Sequence, residues 1–365
     1  MARQRLVNCA AVGSAEQFDG AWQVLREGIV AHAFPGAVAA LVHRQETCVL
    51  RADGRFTFQE TSPEVTPETI YDLASLTKVI ATTSMAMLLY DHGKLELDTP
   101  ISELVPEFLS GNDAERRRKV TIQNLLEHSS GLPAYLRLYQ AAAGKLEVVR
   151  AACAVPLKEG VGEHTEYSDI GFIVLGVALE RIAGEPLDTF ASREIFAPLG
   201  MSTTRFRPPT EWRDKIPPTQ MDEHYRKRLI QGEVHDENAS AMEGVAGHAG
   251  LFGGAGDIAK FATALLEGAQ PFQRETINRF TKRASFPNGT SRALGWDTPS
   301  QPSQSGRYFG SRSFGHLGFT GTSFWVDPDR ELAVVLLTNR TWPDAKAQSI
   351  KQFRPRFHDA VVECL

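Results

Sequence analysis

Ser75 and Lys78 are three residues apart in the stretch YDLASLTKVI, where a strand-like segment passes into a helical one. At this spacing both side chains lie on one face of a helix and can touch. On a surface helix the two side chains would simply be hydrated. In a hydrolase, by contrast, burial would remove water from the lysine, which could then activate the serine hydroxyl as a nucleophile. The spacing alone leaves both readings open.

Two later stretches contain further residues of the types that acyl transfer uses. EYSDIGF places Tyr167 at the start of a predicted helix, and FGHLGFTGTSFW places His316 and Gly318 at a predicted strand. Tyrosine can take and return a proton when a neighbouring ammonium lowers its pKa. Glycine beside a strand edge lets a substrate approach backbone N–H groups, which can bind an oxyanion. Together the three stretches favour a serine hydrolase.

In this order and at these intervals, the three stretches resemble the S-x-x-K, Y-x-N and K-T-G elements of serine β-lactamases and penicillin-binding proteins. The likeness extends from about residue 20 to the end and is closest to the class C-like serine hydrolases. Supporting stretches are LLEHSSGLP, PLGM, GHAGLFGGAGDIAKF and DPDRELAVVLLTNR. GEVHDENASAMEGVAGHAGLF and RPRFHDAVVE are similar to a narrower branch, the intracellular hydrolases associated with N-acetylglucosaminidases in cell-wall recycling.

This resemblance implies a role for each motif residue. Ser75 would be the acylated nucleophile and Lys78 its partner base. Tyr167 would take and return protons, and His316 would stand in the place of the third-motif lysine. The N–H groups of Ser75 and Phe319 would form the oxyanion hole. The positions beside the substrate or its oxyanion would be Phe319, Gly318 and Asp169.

Two positions depart from the family pattern. Asp169 replaces the usual asparagine of the second motif, and HLG replaces KTG in the third. In the family the third-motif cation and hydroxyl help to hold a substrate carboxylate. His316 is largely neutral at pH 7 unless its surroundings raise its pKa, and Leu317 has no hydroxyl. The departures disfavour β-lactam hydrolysis and D-Ala-D-Ala trimming, with Arg312 or Thr320 as candidates to compensate.

Several other polar residues are expected to be structural. His128 in LLEHSSG is predicted to end a helix and bond nearby backbone. No HExxH motif or tight ligand spacing occurs, so we expect no metal and no cofactor. The residues considered and rejected as metal ligands are His235, Asp236, Glu237 and His248.

The flanking segments predict the elements that position these residues. Ser14 and Gln17 form a capping-box pattern before a helix, and GAVAALVHR and TCVLRADGRF read as paired strands. After Ser75 the pattern is mostly helical, with Thr121 capping one helix. GTSFWVDPDRELAVVLLTN then reads as a hairpin, and a last helix follows in DAKAQSIKQFRPRFHDAVVECL.

Strands at both ends of the chain with a helical middle predict one α/β unit that is assembled from both termini and contains an inserted helical region. The resemblance implies the α/β (α+β) fold of the β-lactamase/transpeptidase-like type, a mainly antiparallel sheet flanked by helices plus a helical domain. We expect residues 14–74 and 286–365 to form the sheet domain and residues 75–285 to form the mainly helical domain. The active-site cleft would lie between them.

The composition indicates which classes of partner to expect and in which compartment the protein is located. A net charge of −5 gives no reason to expect nucleic acid or an anionic membrane as partner. The four cysteines show no CxxC and no metal-like spacing, and the N-terminus makes a poor signal peptide, so a reduced, cytoplasmic setting is expected. The oligomeric state is left open.

We therefore predict a metal-independent serine hydrolase that forms an acyl-enzyme on Ser75. Its small-molecule substrate would be an acyl ester, a muropeptide or a peptide-like amide. A muropeptide-type amidase or a carboxylesterase ranks above a β-lactamase or D-Ala-D-Ala carboxypeptidase. A sensor of cell-wall fragments that is acylated without turnover is the other alternative.

Overall fold

The main sheet contains strands from both ends of the chain. The computed structural model describes residues 10–11, 16–44, 47–110 and 113–365. The predicted helix cap at Ser14 lies outside these residues. Numbered along the chain, the strands are β1 (Ala10–Ala11), β2 (Gly36–His43), β3 (Thr47–Gly54), β4 (Ile70–Asp72), β5 (Arg205–Phe206), β6 (Gln220–Asp222), β7 (Arg228–Ile230), β8 (Leu251–Gly254), β9 (Phe314–Leu317), β10 (Ser323–Asp327) and β11 (Leu332–Thr338).

The six-stranded sheet has the order β1-β3-β2-β11-β10-β9. All its neighbours pair antiparallel except β1 and β3, which confirms the mainly antiparallel architecture. The predicted hairpin is the β10–β11 pair, with Trp325 opposite Val334. Two smaller sheets are separate from the main sheet, one with the order β4-β8-β5 and one formed by β6 and β7. Strand β9, which contains His316, is at one edge of the main sheet.

Strand β2 shows why these segments read as strands. Side chains alternate between the faces of a strand, and both faces are buried here. Ala39 and Leu41 pack on one face with helices α1 and α12 (Asp19–Val30 and Ile350–Glu363), while Val38, Ala40 and Val42 belong to the core on the other face. Two buried faces explain the unbroken apolar run GAVAALV.

Helices surround this sheet and fill the middle of the chain. Besides α1 and α12, they are α2 (Ser84–Asp91), α3 (Ile101–Leu104), α4 (Ala114–Arg117), α5 (Ile122–Leu126), α6 (Lys145–Ala154), α7 (Asp169–Ala183), α8 (Leu187–Ala191), α9 (Glu237–Ala241), α10 (Ala255–Glu267) and α11 (Arg274–Thr281). Thr121 caps α5 as predicted, since its hydroxyl accepts the Asn124 N–H. Helix α10 packs on β2 and β11. The proposed domain boundaries stay a prediction.

The segment after Ser75 differs from the single helix that the sequence predicts. A short 3-10 helix (Ala74–Leu76) leads into a π-helical turn (Lys78–Thr83), and α2 follows. The Ser84 hydroxyl donates to the Val79 carbonyl at 2.9 Å, five residues back, and stabilises the wide turn. π turns of this kind occur mostly at functional sites.

Two of the remaining expectations concern the location of the protein. Within the described ranges, no helix has the length and apolar character needed to cross a bilayer. Cys153 and Cys364 have free thiols, whereas Cys48 is disulfide-bonded. The expectation of reduced cysteines is therefore wrong for Cys48.

Candidate active site

Ser75 lies at a sharp turn that follows strand β4. Ala74, just before it, has φ = 47°, a left-handed conformation that is rare for a residue with a side chain. Two contacts hold it there: the Ala74 N–H donates to the Asp72 carboxylate at 2.8 Å, and the Thr77 hydroxyl donates to the Ala74 carbonyl at 2.6 Å. The turn leaves Ser75 half-buried at the floor of a cleft of about 1370 Å³.

Lys78 is fully buried and makes three hydrogen bonds. Its Nζ donates to the Ser75 Oγ at 3.1 Å, to Oδ1 of Asp169 at 2.6 Å and to the His248 carbonyl at 3.1 Å. Burial lowers the pKa of Lys78, but the Asp169 carboxylate and Tyr167 outweigh it, so the pKa of Lys78 lies above its ordinary value. Lys78 is therefore an ammonium at neutral pH, as predicted for an ionised Asp169.

Tyr167 stands over this ammonium, with Lys78 Nζ 4.8 Å from the ring centroid. Its position depends on His128, whose ring is 4.7 Å from the Tyr167 ring and whose Nδ1 accepts the Ser168 N–H at 3.0 Å. His128 therefore has the structural role that the sequence predicts. Its neutral form suits this role, because burial, Arg292 and Lys78 lower its pKa well below 6.5.

The protonation of Tyr167 corrects one expectation. The sequence argument expects the Lys78 ammonium to lower the pKa of Tyr167. In the structure, hydrogen bonds with Lys78 and Ser75 act in that direction, but burial of the phenol is the larger effect. The pKa of Tyr167 is therefore raised above 10.0, and the residue is a neutral phenol in the resting protein.

The turn after strand β9 docks directly on the Ser75 turn. The Thr320 hydroxyl donates to the Asp72 carbonyl at 2.8 Å, and the Thr322 hydroxyl donates to the Leu73 carbonyl at 3.1 Å. Gly318 fits only because it lacks a side chain, since a Cβ there would lie 1.9 Å from the Thr322 Oγ1. The Phe319 N–H has no hydrogen-bond acceptor within the described residues, and it lies beside the cleft.

His316 lies in β9 beside Tyr167, with the two ring centroids 5.8 Å apart. It is only 3% exposed, and burial, followed by Lys78 and Arg292, lowers its pKa well below 6.5. Its Nδ1 lies 2.8 Å from the Leu317 carbonyl, which can only accept, so the proton of the neutral ring is on Nδ1. Nε2 is buried and has no partner in the described part of the chain. His316 thus supplies an acceptor where the family has a cation.

Neither residue suggested to compensate for the missing third-motif lysine reaches the cleft. Thr320 is fully buried and bonds Asp72, while Arg312 is exposed and paired with Asp329. Besides Lys78, a second cation, Arg292, lies beside Tyr167, with its Cζ 5.3 Å from the ring centroid. No sequence motif indicated a role for Arg292, because this residue follows a Pro/Gly-containing loop outside the three stretches.

Two further cations behind the β9 turn were also missed. Arg340 donates to the Phe319 carbonyl at 2.7 Å, and Arg354 donates to the Gly318 and Thr322 carbonyls, both at 2.8 Å. Arg340 ends the stretch DPDRELAVVLLTNR and Arg354 begins RPRFHDAVVE, two stretches that resemble the family. Nothing in the spacing of these arginines indicated contact with the active site.

The rejected metal ligands form a polar wall of the same cleft. His248 Nε2 bonds the Asp236 carboxylate at 2.8 Å, and the N–H of His235 bonds Asp72 at 2.6 Å. In the described residues no three His, Cys, Asp or Glu side chains are placed to hold a metal ion. These residues connect the wall to the Ser75 turn.

Comparison with known proteins agrees with this geometry. The family model described as Beta-lactamase matches residues 20–354. A relative from Bacillus subtilis (strain 168), named N-acetylmuramyl-L-alanine amidase, is 31% identical over 347 residues, which cover 85% of this chain and 78% of the relative. A relative from Escherichia coli (strain K12) is named a putative D-alanyl-D-alanine carboxypeptidase. It is 33% identical over 311 residues, which cover 77% of this chain and 71% of the relative.

The fold is similar to that of a solved hydrolase described as EstCE1, with promiscuous acyltransferase activity. The TM-score is 0.77 at 21% identity, and the match covers 94% of this chain and 98% of the other. This confirms the β-lactamase/transpeptidase-like fold. From the matched family model and these relatives, the chain belongs to the β-lactamase family.

Proposed function

We propose that this protein is a metal-independent serine hydrolase that forms an acyl-enzyme on Ser75. The observation that supports this most is the position of the Ser75 hydroxyl, which lies 3.1 Å from the buried Lys78 ammonium, beside Tyr167 and open to the cleft. Ser75 Oγ attacks the substrate carbonyl, and its proton passes to Lys78 Nζ, beside the neutral Tyr167 phenol, as the Lys78 ammonium gives one of its own protons to the Asp169 carboxylate 2.6 Å away. That proton then goes to the leaving amine or alkoxide, and water hydrolyses the acyl-enzyme.

The oxyanion of each tetrahedral intermediate would be held by the N–H groups of Ser75 and Phe319. This assignment is supported by the unused Phe319 N–H and by the docking of the β9 turn on the Ser75 turn through Thr320 and Thr322. Donors fixed in advance at the place where negative charge develops are among the largest contributions to acyl-transfer rates.

Arg292 favours an amide substrate with a carboxylate on its leaving group. Its side chain is only 19% exposed, yet its guanidinium has no hydrogen-bond partner in the described residues and lies 3.7 Å from Asp297. That carboxylate oxygen already accepts bonds from the Ser291 hydroxyl and the Thr298 N–H. An amino acid or peptide released from a muropeptide would give Arg292 the planar acceptor that it lacks. We therefore place a muropeptide-type amidase above a carboxylesterase.

The decisive experiment for the nucleophile is Ser75→Ala. We expect loss of fluorophosphonate labelling and a fall in turnover of at least about 10³-fold. Ser202→Ala, at an exposed serine outside the cleft, should leave both unchanged. Intact-mass measurement after incubation with p-nitrophenyl acetate separates the enzyme from the acylated sensor, because a persistent adduct without turnover would favour the sensor. Labelling that persists in Ser75→Ala would contradict the assignment.

The substrate class is tested with Arg292→Gln and two matched substrates, N-acetylmuramyl-L-alanine and its C-terminal carboxamide. We expect kcat/KM for the acid to fall by about tenfold or more, because a charge-assisted hydrogen bond contributes about 1.5–3 kcal/mol. The carboxamide and p-nitrophenyl acetate should change little, as should all three substrates with Arg312→Gln. Equal losses for the acid and the carboxamide would contradict this role of Arg292.

The location and the partners remain proposals. A cytoplasmic protein that acts on small molecules fits the spacing of the cysteines and the net charge, although the disulfide-bonded Cys48 counts against a reducing compartment. Fractionation of the native cells tests the location directly, and recovery of the protein outside the cytoplasm would contradict it.

A further inference from the structure

Two arginines are buried behind the β9 turn without a carboxylate. Arg354 on α12 is 5% exposed, and Arg340, just after β11, is 7% exposed. In the described ranges no Asp or Glu forms an ion pair with either, and burial together with Arg340 lowers the pKa of Arg354 to about 9. Burial of a cation without a carboxylate is unfavourable, so the hydrogen bonds of these guanidinium groups to main-chain carbonyls must offset that cost.

Both guanidinium groups donate to carbonyls of the β9 turn, and Arg340 Nη1 also donates to the carbonyls of Ala345 and Ala347. Arg354 Nη2 donates to the Gly318 carbonyl at 2.8 Å and to the Thr322 carbonyl at 2.8 Å. Arg340 Nε donates to the Phe319 carbonyl at 2.7 Å, and its guanidinium lies 4.4 Å from the Phe319 ring centroid. The Gly318 carbonyl and the Phe319 N–H are the two ends of the same planar peptide unit.

A cation bound to one end of a peptide unit strengthens the other end. Hydrogen bonding from a guanidinium draws electron density towards the carbonyl oxygen, which increases the C–N double-bond character and the partial positive charge on the N–H. Such cooperative polarisation is greatest where water is excluded. The second bond of Arg354, to Thr322, also fixes the plane of the peptide unit relative to the rest of the turn.

We infer that Arg354 is a positioning residue that orients and polarises the peptide unit of Gly318 and Phe319, so that the Phe319 N–H binds the oxyanion more strongly. Arg340 assists by holding the next carbonyl. This inference rests on the proposed function, in which the Ser75 and Phe319 N–H groups form the oxyanion hole. It adds a fixed positive charge to the site, although no charged side chain touches the reacting oxygen.

The test compares Arg354→Met and Arg354→Lys with the unchanged protein, each active-site-titrated with a fluorophosphonate. Removal of a whole oxyanion-hole donor costs about 10²–10³ in kcat, so weakening one should cost about 10–100-fold in kcat for p-nitrophenyl acetate with little change in KM. Arg354→Lys keeps the charge but not the two-carbonyl geometry, so its loss should be intermediate. Isotope-edited infrared spectra of the ¹³C-acetyl-enzyme should show the ester carbonyl stretch at higher wavenumber in both variants.

Arg117→Met is the matched control. Arg117 is also fully buried and also donates to main-chain carbonyls, including that of Phe108 at 2.9 Å, but it lies in α4, away from the cleft. We expect it to lower stability while leaving kcat per titrated site and the carbonyl stretch unchanged. If Arg354→Met does not fold, Arg354→Lys alone provides both readouts.

The inference is overturned if the Arg354 variants keep kcat and the carbonyl frequency of the unchanged protein. It is also overturned if they lose activity with an unshifted carbonyl, which would indicate that Arg354 only ties α12 to the sheet. A failure of the proposed function looks different, because the unchanged protein would then form no acyl-enzyme on Ser75.

Discussion

Two groups of residues meet at Ser75, and they differ in how their charged side chains are compensated. In the first, which we call the proton group, Lys78 is paired with Asp169 at 2.6 Å beside Tyr167. In the second, the field group, His316 is neutral and Arg354 is a cation bound only to carbonyl oxygens. The proton group holds protons that can move, and its pKa values depend on one another. The field group has nothing that titrates near neutral pH.

This difference indicates a division of labour. Proton transfer needs groups whose charges change, and such groups are tolerated in the interior when a partner carboxylate compensates them. Oxyanion binding needs donors whose orientation and charge do not change during the reaction. The four predictions that follow test whether each group behaves as this comparison requires, beginning with the largest expected effect.

Asp169→Asn removes the charge from the proton group while keeping its shape. Asp169 raises the pKa of Lys78, so without it the opposing effect of burial should dominate and that pKa should fall. The limb of the kcat/KM profile that Lys78 controls should therefore move to lower pH, by about one unit or more. Glu180→Gln, which breaks the 2.6 Å pair with Lys145 outside the cleft, should leave the profile unchanged. An unshifted profile in Asp169→Asn would show that the carboxylate does not control Lys78.

The same variant should also lose stability. The pKa of Lys78 is higher in the folded protein than in the unfolded chain, where it is about 10.4. The ion pair with Asp169 therefore stabilises the fold fully at any pH below that unfolded pKa. This stabilisation is lost as the pH rises through the pKa of Lys78 in the folded protein. At pH 7 we expect urea unfolding to show a loss of roughly 3 kcal/mol, as for other buried pairs that lose one partner. The difference between the two proteins should shrink in alkaline solution.

Leu317→Thr adds a hydroxyl to the field group. We expect little nitrocefin hydrolysis by the unchanged protein, because Leu317 cannot donate to a β-lactam carboxylate and His316 is neutral. The new hydroxyl should raise nitrocefin acylation by at least about tenfold, since a hydrogen bond to a charged group contributes about 1.5–3 kcal/mol. Leu317→Val has the shape of threonine without the hydroxyl and should give no gain. Nitrocefin hydrolysis by the unchanged protein at an efficiency near that of its best ester would contradict the argument.

The smallest expected effect concerns His316, which should not titrate near neutral pH. Burial, Lys78 and Arg292 lower the pKa of His316 well below 6.5, so its imidazole should stay neutral between pH 5.5 and 8. NMR of ¹⁵N-labelled histidines, with His316 assigned by its loss in His316→Gln, measures this directly. A His316 signal that titrates near pH 6.5 would show that the field group does change its charge.

The sequence predicted the residues whose chemistry depends on local spacing. Ser75 and Lys78 meet because three residues of helical turn bring them together, and β2 was recognisable because both its faces are buried. The three motifs also placed Tyr167 and His316 at one site. The signal for β2 was an apolar run, and the signal for Tyr167 and His316 was the resemblance of three ordered motifs to a known family.

The remaining features depend on contacts between distant segments. Arg292 and Arg354 carry no local signal, because their roles arise from packing against β9 and Tyr167. The pKa of Tyr167 was predicted in the wrong direction, since the extent of its burial is set by His128 and by the rings around it. The π-helical turn at Lys78–Thr83 was also missed, because the apolar pattern of a wide turn resembles that of an α-helix.

The pairing of β2 with β11 has a consequence for how the protein is made. Residues Gly36–His43 leave the ribosome early, but their partner Leu332–Thr338 is the last strand of the described residues to be synthesised. At about 5–20 residues per second, roughly 15–60 s separate the two strands during translation. The β9 turn, which bonds the Ser75 turn through Thr320 and Thr322, also emerges late, so these contacts form only after most of the chain has been synthesised. The cleft around Ser75, which is lined by residues from both early and late segments, can therefore form only after the late segments have been synthesised.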